Sequence, residues 1–315
     1  MYILGFDIGG TKCAAVTAKV NGGEITLLSK KQIPTDCTVK PCVMLQRLME
    51  LADSILTANP DLIGVSCGGP LDSQKGIILG PPNLPGWDYV EIVNILEERY
   101  SAPVKLQNDA NACAVAEWKF GAAKGYDNVV FLTFGTGLGA GIILDGKLYC
   151  GTNGNAGEVG HIRLADDGPV GFGKRGSFEG FCSGGGIAQL GYKLALQSIE
   201  NGVYPLYFPR NSNKEEITAK AIAEAALKGD ATAIEVYKIS GEYLGRGLSL
   251  IIDILNPEVI VIGSIFTRSK NLLWQYAKRV IEDEALIESA SCCKVLPAKL
   301  SENIGDYAAV ATALL

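Results

Sequence analysis

FDIGGTKCAAV (residues 6–16) and TFGTGLGAGIIL (residues 133–144) have one layout: an apolar strand runs into a Gly/Thr turn that doubles straight back into another apolar strand. They share few identical residues, but the layout is specific. Two copies in one chain imply an internally duplicated fold with a nucleotide held between the halves. Glycines let backbone N–H groups approach phosphate oxygens with no Cβ in the way, and Thr11 adds a hydroxyl beside Gly9 and Gly10. Asp7, just ahead of the turn, is placed to hold Mg2+ through water, since a hard cation takes oxygen ligands and keeps much of its hydration. A plain glycine hairpin capped by Asp7 explains the first turn equally well when that turn is taken alone. It gives no reason for the second turn, Gly135, Thr136 and Gly137, whereas two such turns can clamp the β and γ phosphates from opposite lobes. The pattern GxxxxGK[ST] occurs nowhere, and no GxGxxG follows a strand with an acidic residue downstream, which demotes P-loop and Rossmann layouts.

The flanking patterns are those of an α/β chain. ILGFDIG, CAAVTAKV and EITLLSKKQI, separated by glycine pairs, predict three strands paired as hairpins. Residues 41–58 carry Val43, Leu45, Leu48, Leu51, Ala52 and Ile55 at helical spacing, LIGVSC reads as a buried strand, and VEIVNILEERY reads as an amphipathic helix before the strand VKLQ. NVVFLTF then restarts the order of the opening, with a turn, the strand GIILDG and helices leading to the strand VIVIG. The expected division is a first lobe over 1–118, a larger second lobe over 119–301, and an Ala-rich helix over 302–315 that packs back on the first lobe.

Composition limits the function classes. A chain of 315 residues is too long for one small core and fits two lobes. With 28 basic against 34 acidic side chains and no Lys/Arg run that could track a phosphate backbone, nucleic acid is not expected as a partner. MYILGFDIGGTK has no basic lead-in and reaches an aspartate at once, unlike a secretory signal, and no apolar run is long enough to span a bilayer, so a cytoplasmic protein without membrane contact is expected. The nine cysteines are odd in number and never spaced as CxxC, and they read as reduced thiols.

Between the two turns lies QNDANACAVAEW, where Asn108 and Asp109 leave a strand and begin a helix. Aspartate at a helix start is commonly a cap. A sugar hydroxyl is a poor nucleophile at neutral pH, however, and a carboxylate that accepts its proton during attack on a γ-phosphorus is the group the chemistry needs, with Asn108 fixing the sugar. Downstream, GNAGEVGHIRL sets Glu158 near His161, the single histidine of the chain. A lone histidine is more often structural, but a neighbouring carboxylate in a Gly-rich loop shifts the balance. Glu158, Glu179 and Asn83 supply planar groups suited to reading adjacent sugar hydroxyls, and Trp87 in NLPGW reads as a packing residue.

Taken together, FDIGGTK, NLPGW, QNDANA, GTGLGAG, AGEVGH, VIVIGS and SENIGDYAAVATA make the chain closely resemble, over nearly its whole length, the ROK family of repressors and sugar kinases. The resemblance implies the two-lobed, duplicated ribonuclease-H-like (actin/hexokinase-like) ATPase fold with a cleft between lobes, ATP and Mg2+ as cofactors, and a homodimer. It implies Asp109 as the catalytic base and Asn83, Asn108, Glu158, His161 and Glu179 around the sugar. Gly9, Gly10, Thr11 and Lys12 with Gly135, Thr136 and Gly137 correspond to its phosphate loops, and Gly263 to its adenosine-side loop. Many members carry a zinc motif, CxCGxxGCxE, whose cysteine positions are here Val170, Phe172 and Ser177. A structural zinc needs about four ligands, so no zinc is expected. Val170 and Phe172 are expected instead to form an apolar plug that holds the loop. The resemblance implies a hexose kinase, with glucose and its 6-hydroxyl the leading expectation. N-acetylmannosamine, N-acetylglucosamine, fructose and allose remain open, as does a non-catalytic sugar-binding regulator. A repressor would carry a helix-turn-helix domain ahead of the first turn, and only six residues precede Asp7.

Overall fold

The computed structural model describes residues 1–315, the side chain of Glu302 excepted. Two five-stranded sheets carry the architecture. The first is built from β1 (Tyr2–Ile8), β2 (Lys12–Asn21), β3 (Glu24–Pro34), β4 (Leu62–Cys67) and β5 (Val104–Asn108), in the order β3-β2-β1-β4-β5. The three opening strands pair antiparallel, as their glycine turns predict, and β1, β4 and β5 run parallel. The second sheet uses β6 (Val129–Phe134), β7 (Leu138–Leu144), β8 (Lys147–Tyr149), β9 (Val259–Ile262) and β10 (Lys294–Pro297). Its order, β8-β7-β6-β9-β10, repeats that of the first, with β6, β9 and β10 again parallel. The duplication inferred from two short turns is thus a duplication of whole sheets. Strand β7 starts at Leu138, so the latter half of GTGLGAG is strand and the turn proper is shorter than the glycine spacing implies.

Among the described residues ten α-helices accompany the sheets: α1 (Pro41–Asp53), α2 (Ile92–Tyr100), α3 (Asp109–Phe120), α4 (Phe178–Phe181), α5 (Gly184–Glu200), α6 (Ala219–Leu227), α7 (Ala231–Leu255), α8 (Ile265–Glu284), α9 (Ile287–Cys292) and α10 (Ile304–Thr312). Helix α1 stops at Asp53 rather than running to 58; Ile55, beyond its end, is buried all the same. Burial rather than helical continuity explains the periodic apolar residue there.

Two compact units emerge. One comprises Met1–Asp127, Gly141–Ala156 and Lys299–Leu315, the other Asn128–Ala140 and Gly157–Ala298. The segment Gly141–Ala156, with the latter part of β7 and all of β8, is therefore counted with the first unit, and the residues that precede it with the second. The first unit's core joins Leu4, Phe6 and Ile8 of β1 to Met44, Leu48 and Leu96 of α1 and α2. On the opposite face, Ala309 and Val310 of α10 pack against Ile3 and Val16. That approach needs two glycines. Gly5 and Gly64 are paired neighbours on β1 and β4, and a Cβ on either would collide with the α10 backbone or with Ala309. A flat saddle results, on which an Ala-rich helix can lie. In the second unit, Phe134, Phe178, Ile187, Tyr237, Leu244 and Phe266 belong to one large core. No helix among the described residues is long and apolar enough to cross a membrane, and all nine cysteines are free.

Candidate active site

On the first unit the chemistry gathers where β1, β4 and β5 end. The β1–β2 turn is closed by Gly9 N–H donating to Lys12 O (3.0 Å), and the Thr35 hydroxyl donates to Gly9 O (2.6 Å). Thr11 and Lys12 are exposed. Asn83 lies directly on this turn: a Cβ added to Gly10 would fall 2.5 Å from both the Cβ and the carbonyl oxygen of Asn83. The glycine thus admits a backbone segment that no other residue would allow so close. Trp87 is buried, as its packing role predicts.

Asn108 ends β5 and caps α3, its Oδ1 accepting from Asn111 N–H at 2.8 Å. The capping role therefore falls to Asn108 and frees Asp109. Asp109 occupies the first turn of α3, accepts backbone N–H groups at the start of its own helix, that of Ala110 at 2.8 Å, and has no salt-bridge partner among the described residues. The residue keeps an exposed surface, and desolvation by the protein atoms around the carboxyl raises it above its ordinary value, the backbone N–H groups it accepts opposing.

Asp7 is half-buried on β1 and its carboxyl is raised to about 6, first by desolvation and then by the negative charge of Asp306, with Asp109 a smaller contributor and Lys12 and Lys30 opposing. The helix α10 that rests on the saddle brings these groups together. A Cβ on Gly305 would lie 2.7 Å from Asp7 Oδ2, and the next residue, Asp306, is buried and bridged to Lys30 of β3 at 2.7 Å. Neither Lys30 nor Asp306 is singled out by sequence reasoning, although an acidic residue opening an otherwise Ala-rich helix is the signal that was there to use.

A carboxylate held beside a second carboxylate and near the glycine turn suits a divalent cation carried in with phosphate. Mg2+ takes one or two protein carboxylates and fills its remaining positions with water and phosphate oxygen. Among the described residues no group of three or more His, Cys, Asp or Glu side chains forms an all-protein metal site.

On the second unit, the β6–β7 turn is closed by Gly135 N–H donating to Gly137 O (3.1 Å) and is tied to the start of α5 by Gly184 N–H donating to Gly135 O (2.8 Å). Thr136 is exposed at its tip. Glu179 of α4 reaches the turn and accepts Leu138 N–H at 3.0 Å; a Cβ on Gly137 would lie 2.8 Å from its Oε2. Gly160 backs onto the Cβ of Glu179, so His161, the next residue, is brought to the same place. Glu158 is exposed and its carbonyl accepts His161 N–H (3.2 Å). Gly263 directly follows β9, its N–H donating to Leu132 O (2.9 Å); beyond it Ser264 takes a left-handed φ of 51° and faces Gly135. Sequence reasoning stops one residue short of Ser264.

Val170 and Phe172 form no plug. Both side chains are exposed, at 39% and 72%, because residues 170–175 fold as a small hairpin whose tip turns outward. Ser177, at the third position of the altered motif, is fully buried and caps α4 by accepting Gly180 N–H at 3.1 Å. It thereby fixes the helix that carries Glu179.

A sequence profile of the ROK family matches residues 3–314. A glucokinase of Halalkalibacterium halodurans is 32% identical over 314 residues, taking in 96% of this chain and 92% of the relative. The crystal structure of a ROK hexokinase from Thermus thermophilus aligns with a TM-score of 0.81 at 28% identity, covering 100% of this chain and 98% of that one. A ROK family glucokinase from Streptomyces griseus, solved in complex with glucose and AMPPNP, aligns with a TM-score of 0.79 at 29% identity, covering 100% and 99%. With the doubled sheet order these findings lead to one conclusion: the chain belongs to the ROK family and has its actin/hexokinase-like fold.

Proposed function

We propose that this sugar kinase transfers the terminal phosphoryl group of ATP to a hexose hydroxyl, with glucose and its 6-hydroxyl the favoured acceptor. The observation that carries this reading is the division of labour at the start of α3: Asn108 takes the cap, leaving Asp109 solvent-open, unpaired and with a raised carboxyl. A base in that condition accepts a hydroxyl proton readily. The sugar O–H proton passes to Asp109, the freed oxygen bonds to the γ-phosphorus, and the bond from that phosphorus to the β–γ bridging oxygen breaks to release ADP. Asp109 then gives its proton to water.

The turns Gly9–Lys12 and, separately, Gly135–Gly137 receive phosphate oxygens: the N–H groups of Gly9 and Gly135 close each turn, leaving Gly10, Thr11 and Lys12, and Thr136 and Gly137, to meet the phosphates, with Gly263 on the adenosine side. Mg2+ would be held by Asp7, largely through water, and supplies charge neutralisation for the phosphates. Asn83, Glu158, His161 and Glu179 read the sugar hydroxyls, and Asn108 contributes the amide nitrogen that its cap leaves unused. The match to glucokinases and to a complex holding glucose and AMPPNP supports glucose and ATP. The family resemblance supports action in the cytoplasm as a homodimer. Release of ADP from ATP and Mg2+ across a panel of hexoses and N-acetylhexosamines tests the proposal. Turnover greatest on glucose is expected; turnover on another sugar reassigns the substrate, and silence on all with sugar binding intact replaces the kinase by a sugar-binding regulator.

A further inference from the structure

The hairpin Val170–Gly171/Lys174–Arg175 turns through Phe172 and Gly173, with φ of 41° and 75°. Two successive left-handed residues make the tight hairpin turn whose first position favours Asn, Asp or Gly. A bulky aromatic there is a backbone outlier, since its Cβ crowds the following carbonyl. Burial does not offset that strain, because the ring is 72% exposed. What the ring does touch is the imidazole of His161, edge to face, with centroids 5.1 Å apart and planes at 80°. From the other side of the same tip, Lys174 Nζ donates to His161 O at 2.7 Å. The hairpin thus holds His161 by ring and by main chain.

The hairpin is itself well anchored. Val170 exchanges two hydrogen bonds with the Gln189 side chain of α5, at 3.0 and 2.9 Å. Gly171 lies so close to α4 that a Cβ would sit 2.8 Å from the Cβ of Glu179. A strained, solvent-open aromatic on a firmly seated hairpin, set edge to face against one imidazole, is a poor device for stability and a good one for orientation.

We propose that Phe172 is a positioning residue that fixes the imidazole of His161 for sugar binding. The proposal rests on the reading of His161 as a sugar contact. Phe172→Asn suits the turn and removes the ring, so it raises or preserves Tm while raising the sugar KM and the calorimetric sugar Kd about three- to tenfold, as loss of an aromatic contact of this kind implies. Its kcat and its KM for ATP stay within about twofold of the parent. Phe172→Trp keeps the sugar KM near the parent value, and in a His161→Ala background Phe172→Asn has no further effect. Two results overturn the proposal alone: Phe172→Asn leaves the sugar KM unchanged although His161→Ala raises it, or it lowers Tm and weakens sugar and ATP together. Should His161→Ala itself leave sugar binding intact, the proposal falls with the sugar-site reading beneath it.

Discussion

The same strand order is used twice in this chain, and the two copies are surrounded by different groups. Each sheet has an antiparallel meander joined to parallel strands in the same order, and each has a glycine turn after its first strand. The first turn is set among charges and backed by main chain: Asp7, Asp306 and Lys30 converge beside it, and Asn83 lies on Gly10. The second is backed by hydrogen-bonding groups, the Glu179 carboxylate and the start of α5. Duplication supplied two glycine turns. What packs behind each one differs: a cluster of charges behind the first, and the Glu179 carboxylate with the start of α5 behind the second.

The largest expected effect tests whether the rate belongs to the first unit. Asp109→Asn lowers kcat by about two to four orders of magnitude, the range of a general base, with calorimetric binding of sugar and of ATP retained. In the second unit, Glu179→Gln raises the sugar KM and leaves kcat within an order of magnitude. Equal losses of kcat from the two substitutions, measured as ADP release, would erase the contrast.

The ionic character of the first turn is testable through pH. Asp7 is raised from 3.8 to about 6, so its protonated form favours the fold. The stabilisation it gives is complete below pH 3.8 and is lost as pH rises through 6. Asp7→Asn therefore raises the Tm of the ligand-free protein at pH 8, by an amount on the order of 1–3 kcal/mol in unfolding free energy. At pH 3.5 it has no such effect, and thermal unfolding at the two values checks it. A gain of equal size at both would mean that packing, not charge, limits Asp7.

A smaller effect separates the backings of the two turns. Gly10→Ala drives a Cβ into the main chain of Asn83, which cannot yield, and costs about 1–3 kcal/mol of stability as well as raising the KM for ATP. Gly137→Ala meets only the end of the Glu179 side chain, so it costs under about 1 kcal/mol and acts instead on the sugar KM. Denaturant unfolding of both variants gives the ranking.

Much of this was legible because it is local. Apolar alternation marks β1 and β2, glycine pairs mark the hairpins, and the change from strand to helix at Asn108–Asp109 marks the proposed base. Local signals nevertheless misplaced particular residues. Ile55 has helical spacing but lies past the end of α1, since burial alone makes a position apolar. Phe172 and Val170 look like plug residues by composition, yet a tight turn throws both outward.

The sequence by itself determined the repeated strand–turn–strand units, the α/β class, the family, and the candidate groups around Asp7, Asp109 and His161, because each is written in the spacing of a few neighbouring residues. Only the tertiary structure decided that Asn108 rather than Asp109 serves as the cap, that Lys30 and Asp306 meet beside Asp7 although 276 residues apart, and that Phe172 stands against His161. Those facts depend on which surfaces come together: a glycine saddle admits α10, and a short hairpin folds beside α4. Contacts made across the fold leave no period in the chain from which they could be read.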